Sequence, residues 1–215
     1  MKLTSEHSVE LDYQIMSVPK TNERKGLFGG LEANIARYGF IVSPTSRKLE
    51  YGYGVGNIYY QTDIPDTDRH VMKQERNRVY VDDSLVHTFA EASFSMSSNA
   101  PLGSFNYTNY SPVSARYFSS KWWEADVLVR YFVPCYRKSD NKPGMYDLVT
   151  DSFFTNRGTG EFDYGDLSNL LSENQENEAL EKFTMQHTDI DTELADAPFV
   201  EIVGNVSETL QNEDC

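Results

Sequence analysis

The sequence has little cysteine and no long apolar run. Its 215 residues include two cysteines, Cys135 inside an apolar segment and Cys215 at the last position. A pair placed in this way does not indicate a disulfide framework. No segment approaches the ~18 consecutive apolar residues of a membrane span, and the first residues hold no apolar run typical of a signal peptide. We therefore expect a protein with no membrane span, made without its own export signal.

Basic residues are also scarce, with 19 Lys and Arg against 33 Asp and Glu. The imbalance lies at one end, because residues 166–215 contain 13 acidic residues and one lysine, a net charge of −12 out of −14. Only two of the 28 aromatic residues fall in this segment. We predict a domain over residues 1–165 and an acidic C-terminal arm over residues 166–215 that has little capacity to form a core. The charge disfavours nucleic-acid binding.

Residues 1–165 have the period-two pattern of short β-strands. Near the start, every second residue is apolar: Val9, Leu11, Tyr13 and Ile15. Such alternation predicts a strand with one face in the core. Further along, Asp82-Asp83 occupies the two-residue turn position of a hairpin. About ten to twelve short strands, with no convincing amphipathic helix, predict an all-β protein of antiparallel strands in a two-sheet sandwich or jelly roll.

The acidic arm carries two weaker patterns. Ser168 is a candidate N-cap for a helix that would make the arm partly helical, and the segment Phe199 to Val203 alternates as a strand does. A charged, weakly apolar segment orders when it meets a partner surface, and a strand can add to a sheet edge in its own chain or a neighbouring one. The predicted partner contacts are Leu171, Leu180, Phe183, Phe199 and Ile202.

The segment DVLVRYFVPCYRKSDNKPGMYDLVTDSFFTNRGTGEFDYG, from Asp126 to Gly165, resembles the closing hairpins of the concanavalin A-like, laminin G-like jelly-roll family. This family recurs in tail-fibre and other virion proteins of phages of gut bacteria and in bacterial surface proteins. Upstream, GLFGG, RYGF, YGYG and DRHVMKQERNRVYVDDSLV are similar to its successive strands. The resemblance covers residues 3–165 and implies an antiparallel jelly-roll sandwich.

Two features depart from the family pattern. The acidic arm is not part of it, and the chain begins without the strand that usually opens the family. The missing strand would leave an unpaired sheet edge, which proteins normally cover. We expect residues 198–206, or a strand of a partner, to cover it.

Enzymes on this jelly roll, the laminarinase-like glycosidases, place an E-x-D-x-E series on one strand. Here Glu10-Leu11-Asp12-Tyr13-Gln14 has an amide where the acid/base should stand, and glutamine cannot donate and recover a proton. The histidines are scattered, and no serine or cysteine has the surroundings of a nucleophile. We therefore expect no enzymatic activity and interpret these residues as the polar face of a strand; a glycosidase is the weakest alternative.

Carbohydrate binding by a sandwich uses exposed aromatic rings beside amides and carboxylates. Because neighbours in a strand face opposite sides, only one of two adjacent tryptophans should enter the core. Packing against the arm or a neighbouring subunit would also explain the exposed one. The candidate ligand-binding residues are Trp122, Trp123, Glu124, Tyr59, Tyr60, Asn106, Tyr107 and Tyr110.

Asp63, Asp66 and Asp68 lie close enough together to converge on one Ca²⁺ ion, although solvated loop carboxylates would explain them equally. No other cofactor is expected. Together, the resemblance and the charge pattern predict a non-enzymatic structural protein of a phage virion, tail-fibre or capsid-associated, that contacts other virion proteins or a second copy through its arm. The alternative is a carbohydrate-binding module that recognises polysaccharide of the host surface.

Overall fold

The computed structural model describes residues 2–18, 24–32, 35–43, 48–56, 58–62, 66–106, 110–137, 139–140, 142–156, 162–164, 200–202 and 211–213. This part of the chain contains strands and no helix, and hence no helix long and apolar enough to cross a membrane. The all-β prediction is therefore confirmed. The strands are β1 (Lys2–Thr4), β2 (His7–Ile15), β3 (Arg24–Glu32), β4 (Ala36–Val42), β5 (Leu49–Gly54), β6 (Tyr59–Gln61), β7 (Arg69–Glu75), β8 (Arg78–Val81), β9 (Ser84–Thr88), β10 (Ser95–Asn99), β11 (Tyr110–Pro112), β12 (Ala115–Glu124), β13 (Val127–Arg137), β14 (Lys142–Asp147), β15 (Ser152–Thr155), β16 (Phe162–Tyr164), β17 (Val200–Ile202) and β18 (Gln211–Glu213).

Most strands belong to two sheets. The smaller sheet has five strands in the order β11-β3-β4-β5-β6, and the larger has eleven, with β18-β15-β14-β13-β12-β2-β7-β8-β9 in line and β16 and β17 attached beside β12. Neighbours are antiparallel except β11 and β3, which run parallel. A separate pair joins β1 to β10.

The two sheets face each other across one core. The alternation predicted for β2 is confirmed, because Val9, Leu11, Tyr13 and Ile15 are buried while the polar residues that alternate with them from Glu10 to Gln14 are partly exposed. Tyr117 of the large sheet donates its hydroxyl to the carbonyl of Leu27 in the small sheet at 3.1 Å. In the other direction, Tyr38 of the small sheet donates to the carbonyl of His7 at 2.9 Å. Buried phenols therefore tie the layers together while their rings fill the core.

The backbone of the β3–β4 pair requires a glycine at one position in each of the GLFGG and RYGF segments. Gly29 and Gly39 lie opposite each other in the β3–β4 pair with φ of 107° and 125°. A Cβ on Gly29 would collide with the carbonyl oxygen of Tyr38, and one on Gly39 with that of Phe28. Only glycine combines these dihedrals with so close a backbone approach.

The β8–β9 hairpin matches its sequence prediction. Val81 pairs with Ser84, and the two residues between them, Asp82 and Asp83, have φ of 48° and 61°. Two successive left-handed residues are the geometry of a type I′ turn, which asparagine and aspartate tolerate best after glycine. This turn holds the Asp82 carboxylate beside the start of β7, where it contacts His70 and Val71.

The arm supplies two short strands. The predicted strand forms at Val200–Ile202, where β17 pairs with Ala115–Tyr117 of β12 on one side and with β16 on the other. The first long strand, β2, has a neighbour on each side, β12 and β7, so β17 pairs with β12 and not with β2. The predicted helix with Leu171, Leu180 and Phe183, as well as Phe199, lies outside the described residues, and Ile202 is described by its backbone alone.

Candidate ligand-binding cleft

An open cleft of about 470 Å³ lies between the two sheets, on the side where β6 and β9 are their edge strands. Tyr51 and Tyr60 line it from the small sheet, and Tyr13 and His70 from the large one. Its volume is within the ~300–1,000 Å³ range of small-molecule sites. Apolar side chains form part of its wall, namely Ile15, Leu49, Val81 and Val86.

An aromatic stack connects the two edge strands at this cleft. The ring of Tyr60 on β6 lies on the ring of His87 on β9, with centroids 4.0 Å apart and planes within 5°. Phe89 meets His87 edge-on at 4.5 Å. Burial lowers the pKa of His87, so the imidazole under Tyr60 is neutral at neutral pH. Tyr60 is 36% exposed, and the stack therefore fixes an accessible aromatic ring at the cleft.

The phenols deeper in the cleft are neutral hydrogen-bonding groups. Burial raises the pKa of Tyr13 and of Tyr51 above the ordinary tyrosine value, so both keep their protons at neutral pH. The Tyr51 hydroxyl lies 3.5 Å from the Thr62 hydroxyl at the rim. Gln61, also on the rim, donates its amide to Glu50 at 2.6 Å. The cleft thus offers hydroxyl and amide groups beside its aromatic ring.

The charged part of the rim is a histidine held between two carboxylates. His70 Nε2 lies 2.8 Å from Asp66 Oδ1, and His70 Nδ1 lies 2.7 Å from Asp82 Oδ2. An ionised carboxylate only accepts hydrogen bonds, so both contacts are hydrogen bonds only when His70 is protonated on both ring nitrogens. Partial burial by itself lowers the pKa of His70, but the hydrogen bonds that the ring donates to Asp82 and Asp66 outweigh it and raise the pKa. The same bonds lower the pKa of both aspartates.

Two of the three predicted calcium ligands, Asp66 and Asp68, lie in the part of the chain that the structure describes. Asp66 Oδ1 accepts from His70 and from the backbone N–H of Asp68 at 2.9 Å, while Asp63 lies outside the described residues. No group of three or more His, Cys, Asp or Glu side chains that could hold a metal occurs in that same part. Calcium binding by this loop stays a prediction.

The prediction of Trp122 as an exposed ligand platform is wrong. Trp122 is 5% exposed and lies in the core, where its ring meets Phe28 and Phe132 edge-on at 5.1 and 5.3 Å. Its indole N–H donates to the Ser120 hydroxyl at 2.7 Å. A ring enclosed in this way offers no face to a sugar.

Trp123 has the opposite orientation, which confirms that only one of the pair enters the core. It is half-buried on the outer face of the large sheet, with the Lys73 ammonium 5.6 Å from its ring centroid. Glu124 is exposed at the end of β12. Trp123 thus lies on the side of the sheet facing away from the cleft, and Glu124 does not line the cleft.

Among the remaining predicted ligand residues, Tyr59 and Asn106 are described and do not line the cleft. Tyr59 is exposed, with the Arg37 guanidinium 4.8 Å from its ring centroid. Asn106 donates its side-chain amide to the carbonyl of Asn99 at 3.1 Å. Tyr107 lies outside the described residues, and Tyr110 is described only as backbone of β11. Of the predicted ligand set, Tyr60 alone lines the cleft among the described residues.

The acidic residues of β2 lie on the outer face of the large sheet and already have partners. Asp12 accepts two hydrogen bonds from Arg69, at 2.8 and 2.7 Å. The Lys121 ammonium lies 3.4 Å from the Glu10 carboxylate. Gln14, at the third position of the series, donates to the carbonyl of Thr67 at 2.9 Å. This arrangement is a paired polar face of a strand, as the sequence indicated.

The sequence did not indicate that His70, Asp82 or His87 would lie at a binding site. A usable signal existed, because the predicted turn at Asp82 folds β8 back along β7 and so brings Asp82 near the start of β7. The stack of His87 on Tyr60 had no such signal, since it joins edge strands of different sheets.

The chain matches no family model, no curated protein and no solved structure. What it binds must be inferred from the cleft. An accessible aromatic ring, phenol and hydroxyl groups and a carboxylate acceptor stand together there. Such a set is suited to a ligand with one apolar face and many hydroxyl groups.

Proposed function

We propose that the chain is a non-enzymatic, glycan-binding protein of a phage virion, built on a laminin G-like jelly roll, and that the cleft is its sugar site. The path of the chain supports the jelly-roll part. It runs from β2 in the large sheet through β3–β6 in the small one, back through β7–β9, and again from β11 in the small sheet to β12–β15 in the large one. Long crossings of this kind are typical of jelly rolls. The resemblance of residues 126–165 supports the virion part.

The observation that carries the sugar-binding part is the Tyr60–His87 stack at the open side of the cleft. A pyranose has a C–H face that packs on an aromatic ring and hydroxyl groups around its rim. His87 supports Tyr60 from behind, so the ring is held in place before a ligand arrives. A preorganised group loses less entropy on binding. Beside it, Asp66 can accept from sugar hydroxyls and Thr62 can donate or accept.

Affinity electrophoresis tests the proposal, with native gels that contain laminarin, mannan, dextran or polygalacturonate. We expect at least one polysaccharide to retard the protein and Tyr60→Ala to weaken that binding about tenfold, the equivalent of about 1.4 kcal/mol. Tyr59→Ala is the matched control, because it removes an exposed tyrosine from the same strand outside the cleft. Absence of retardation in every gel, or equal retardation of both variants, would refute the sugar site. Mass spectrometry of purified phage particles tests whether the chain is a virion protein.

A further inference from the structure

We propose that His70 is a positioning residue whose protonated ring latches the loop at Asp66 to the turn at Asp82, and that loss of its proton releases the loop and weakens ligand binding in the cleft. The binding half of this inference rests on the proposed sugar site. The latch itself rests on the contacts of three side chains. The latch makes ligand binding in the cleft depend on pH, which the aromatic residues alone would not do.

The geometry requires two protons on one ring. Asp66 and Asp82 approach opposite nitrogens of His70 at 2.8 and 2.7 Å, and each distance is that of a charge-assisted hydrogen bond. A neutral imidazole has one N–H, so one carboxylate would then face a nitrogen lone pair. Two negative partners around an unprotonated nitrogen repel it. Deprotonation must therefore break one of the two links.

The link to Asp66 is the weaker one. Asp82 Oδ1 also accepts from the backbone N–H of Val71 on β7 at 2.9 Å, so this carboxylate is fixed to the sheet. The other described hydrogen bond of Asp66 comes from Asp68, two residues along the same loop. That bond does not tie the Asp66 side chain to the sheet, and the hydrogen bond from Gln14 of β2 to the carbonyl of Thr67 holds only the neighbouring backbone. When His70 loses its proton, Asp66 is the partner that leaves.

Asp66 is also the partner that lines the cleft. While latched, its carboxylate stands at a fixed place beside Gln61 and Thr62. Released, it no longer presents an acceptor there, and the ligand must order the loop again. Ordering a loop upon binding lowers affinity.

Other titratable or charged groups line the cleft with His70, namely Tyr13 of β2, Lys48 before β5, Tyr51 of β5 and Tyr60 of β6, and His87 of β9 stacks on Tyr60. Burial raises the pKa of Tyr13 and Tyr51 and lowers that of His87. Tyr13 and Tyr51 therefore lose their protons further into the alkaline range than His70 does, and His87 changes charge further into the acid range. Around neutral pH the charge that changes at the latch is that of His70.

The sign of the effect follows from the raised pKa. The pKa of His70 lies above the ordinary histidine value of 6.5, so the latch is complete below about pH 6.5 and is lost as pH rises through the folded value. If the ligand binds only the latched form, the apparent dissociation constant is the intrinsic one divided by the protonated fraction. Affinity then falls about tenfold for each pH unit above the pKa of His70.

The experiment measures affinity for whichever of the four polysaccharides retards the protein, between about pH 5.5 and about pH 9. We expect the tenfold-per-unit loss for the unmodified chain. His70→Arg keeps a permanent cation with several donors and should bind independently of pH, while His70→Gln should bind weakly throughout. The inference would be overturned if the affinity of the unmodified chain did not change with pH, or if His70→Gln bound the polysaccharide as tightly as the unmodified chain does.

A matched pair in one turn separates the latch from a general loss of charge. Asp82→Asn and Asp83→Asn each remove one carboxylate, and asparagine tolerates the left-handed backbone at both positions. Asp82→Asn should move the midpoint of the pH profile to lower pH by more than Asp83→Asn does. Equal shifts would contradict the latch.

A titration of the His70 ring by ¹⁵N NMR needs no ligand. Protons on both nitrogens at neutral pH and a midpoint above 6.5 are the expected result. A neutral ring at pH 7 overturns the latch even if sugar binds. A protonated ring with no polysaccharide bound supports the latch and refutes the proposed sugar site.

Discussion

Asp147 is a buried carboxylate that holds the β14–β15 hairpin against β13, and replacing it by asparagine should destabilise the fold. Oδ1 accepts from the backbone N–H of Tyr131 at 2.9 Å and of Val149 at 3.1 Å. Oδ2 accepts from Arg130 Nη1 at 2.8 Å and from the Thr150 hydroxyl at 2.7 Å. No part of the Asp147 side chain is exposed.

The cost of Asp147→Asn follows from these four donors. If the asparagine amide oxygen still accepts the two hydrogen bonds from the backbone N–H groups, the new NH₂ group points at the Arg130 guanidinium. The Thr150 hydroxyl can turn and accept, so the main loss is one charge-assisted bond, worth about 1.5–3 kcal/mol. Arg130 is 33% exposed, and water replaces part of this loss. We expect the free energy of unfolding to fall by about 2 kcal/mol and Tm by about 4–8 °C.

Urea unfolding followed by tryptophan fluorescence measures this change. Asp151→Asn is the control, because Asp151 lies in the same connection, has φ of 53° and accepts a hydrogen bond from the Tyr146 hydroxyl at 2.9 Å. Asparagine preserves both features, so its effect should stay within about 0.5 kcal/mol. Equal stability of the two variants would show that Arg130 gains nothing from the Asp147 charge, and the reasoning would be refuted.

Two further predictions concern the core and the surface. Trp122→Ala should lower the free energy of unfolding by about 3–5 kcal/mol and Trp123→Ala by about 1 kcal/mol or less, in the same urea assay; equal losses would contradict the assigned orientations. Glu32 accepts hydrogen bonds from the backbone N–H and hydroxyl groups of Ser97 and Ser98, which outweigh its partial burial and lower its pKa. Its contribution to stability is therefore present above the unfolded value of 4.5 and lost as pH falls through the folded pKa. Between about pH 5 and about pH 3 the unmodified chain should lose more stability than Glu32→Gln, and parallel losses would argue against these bonds.

The predictable parts of the fold are those set by local chemistry. The period-two pattern predicted β2 because, from Val9 to Ile15, one face of the strand lies in the core and the other faces water. Turn chemistry identified Asp82-Asp83, because the two left-handed residues of a type I′ turn restrict the choice of side chains. Both signals lie within a few residues of the structure that they predict.

The choice between Trp122 and Trp123 was not predictable from alternation alone. In β12, Ala115 and Tyr117 face the core, so strict alternation would place Trp123 inside. The pairing of β12 with β2 shifts at Phe118, between Tyr117 and Ser119, and beyond this bulge the residues facing the core are Ser120 and Trp122. Beyond a β-bulge, the residues that would have faced outward face inward, and the reverse. No residue type in β12 indicated that a bulge would form here.

The cleft was largely hidden because its parts are distant in sequence and lie on different sheets. Tyr60 was named as an exposed aromatic, but its support, His87, comes from the edge of the other sheet. Asp66 was named as a possible metal ligand, whereas His70 binds it in the structure. Aspartates near a histidine satisfy either chemistry, and only the position of the ring decides between them.

The acidic arm pairs with the chain's own large sheet at two places. β17 lies beside β12, and β18 covers the outer side of β15. Each pairing satisfies backbone groups of a strand that would otherwise be a sheet edge. A neighbouring subunit could receive these strands only after they left this sheet, so one set of ladder hydrogen bonds would be exchanged for an equal set. Protein concentration then decides between the two pairings. Contact of the arm with any partner would have to compete with the arm's pairing to its own sheet.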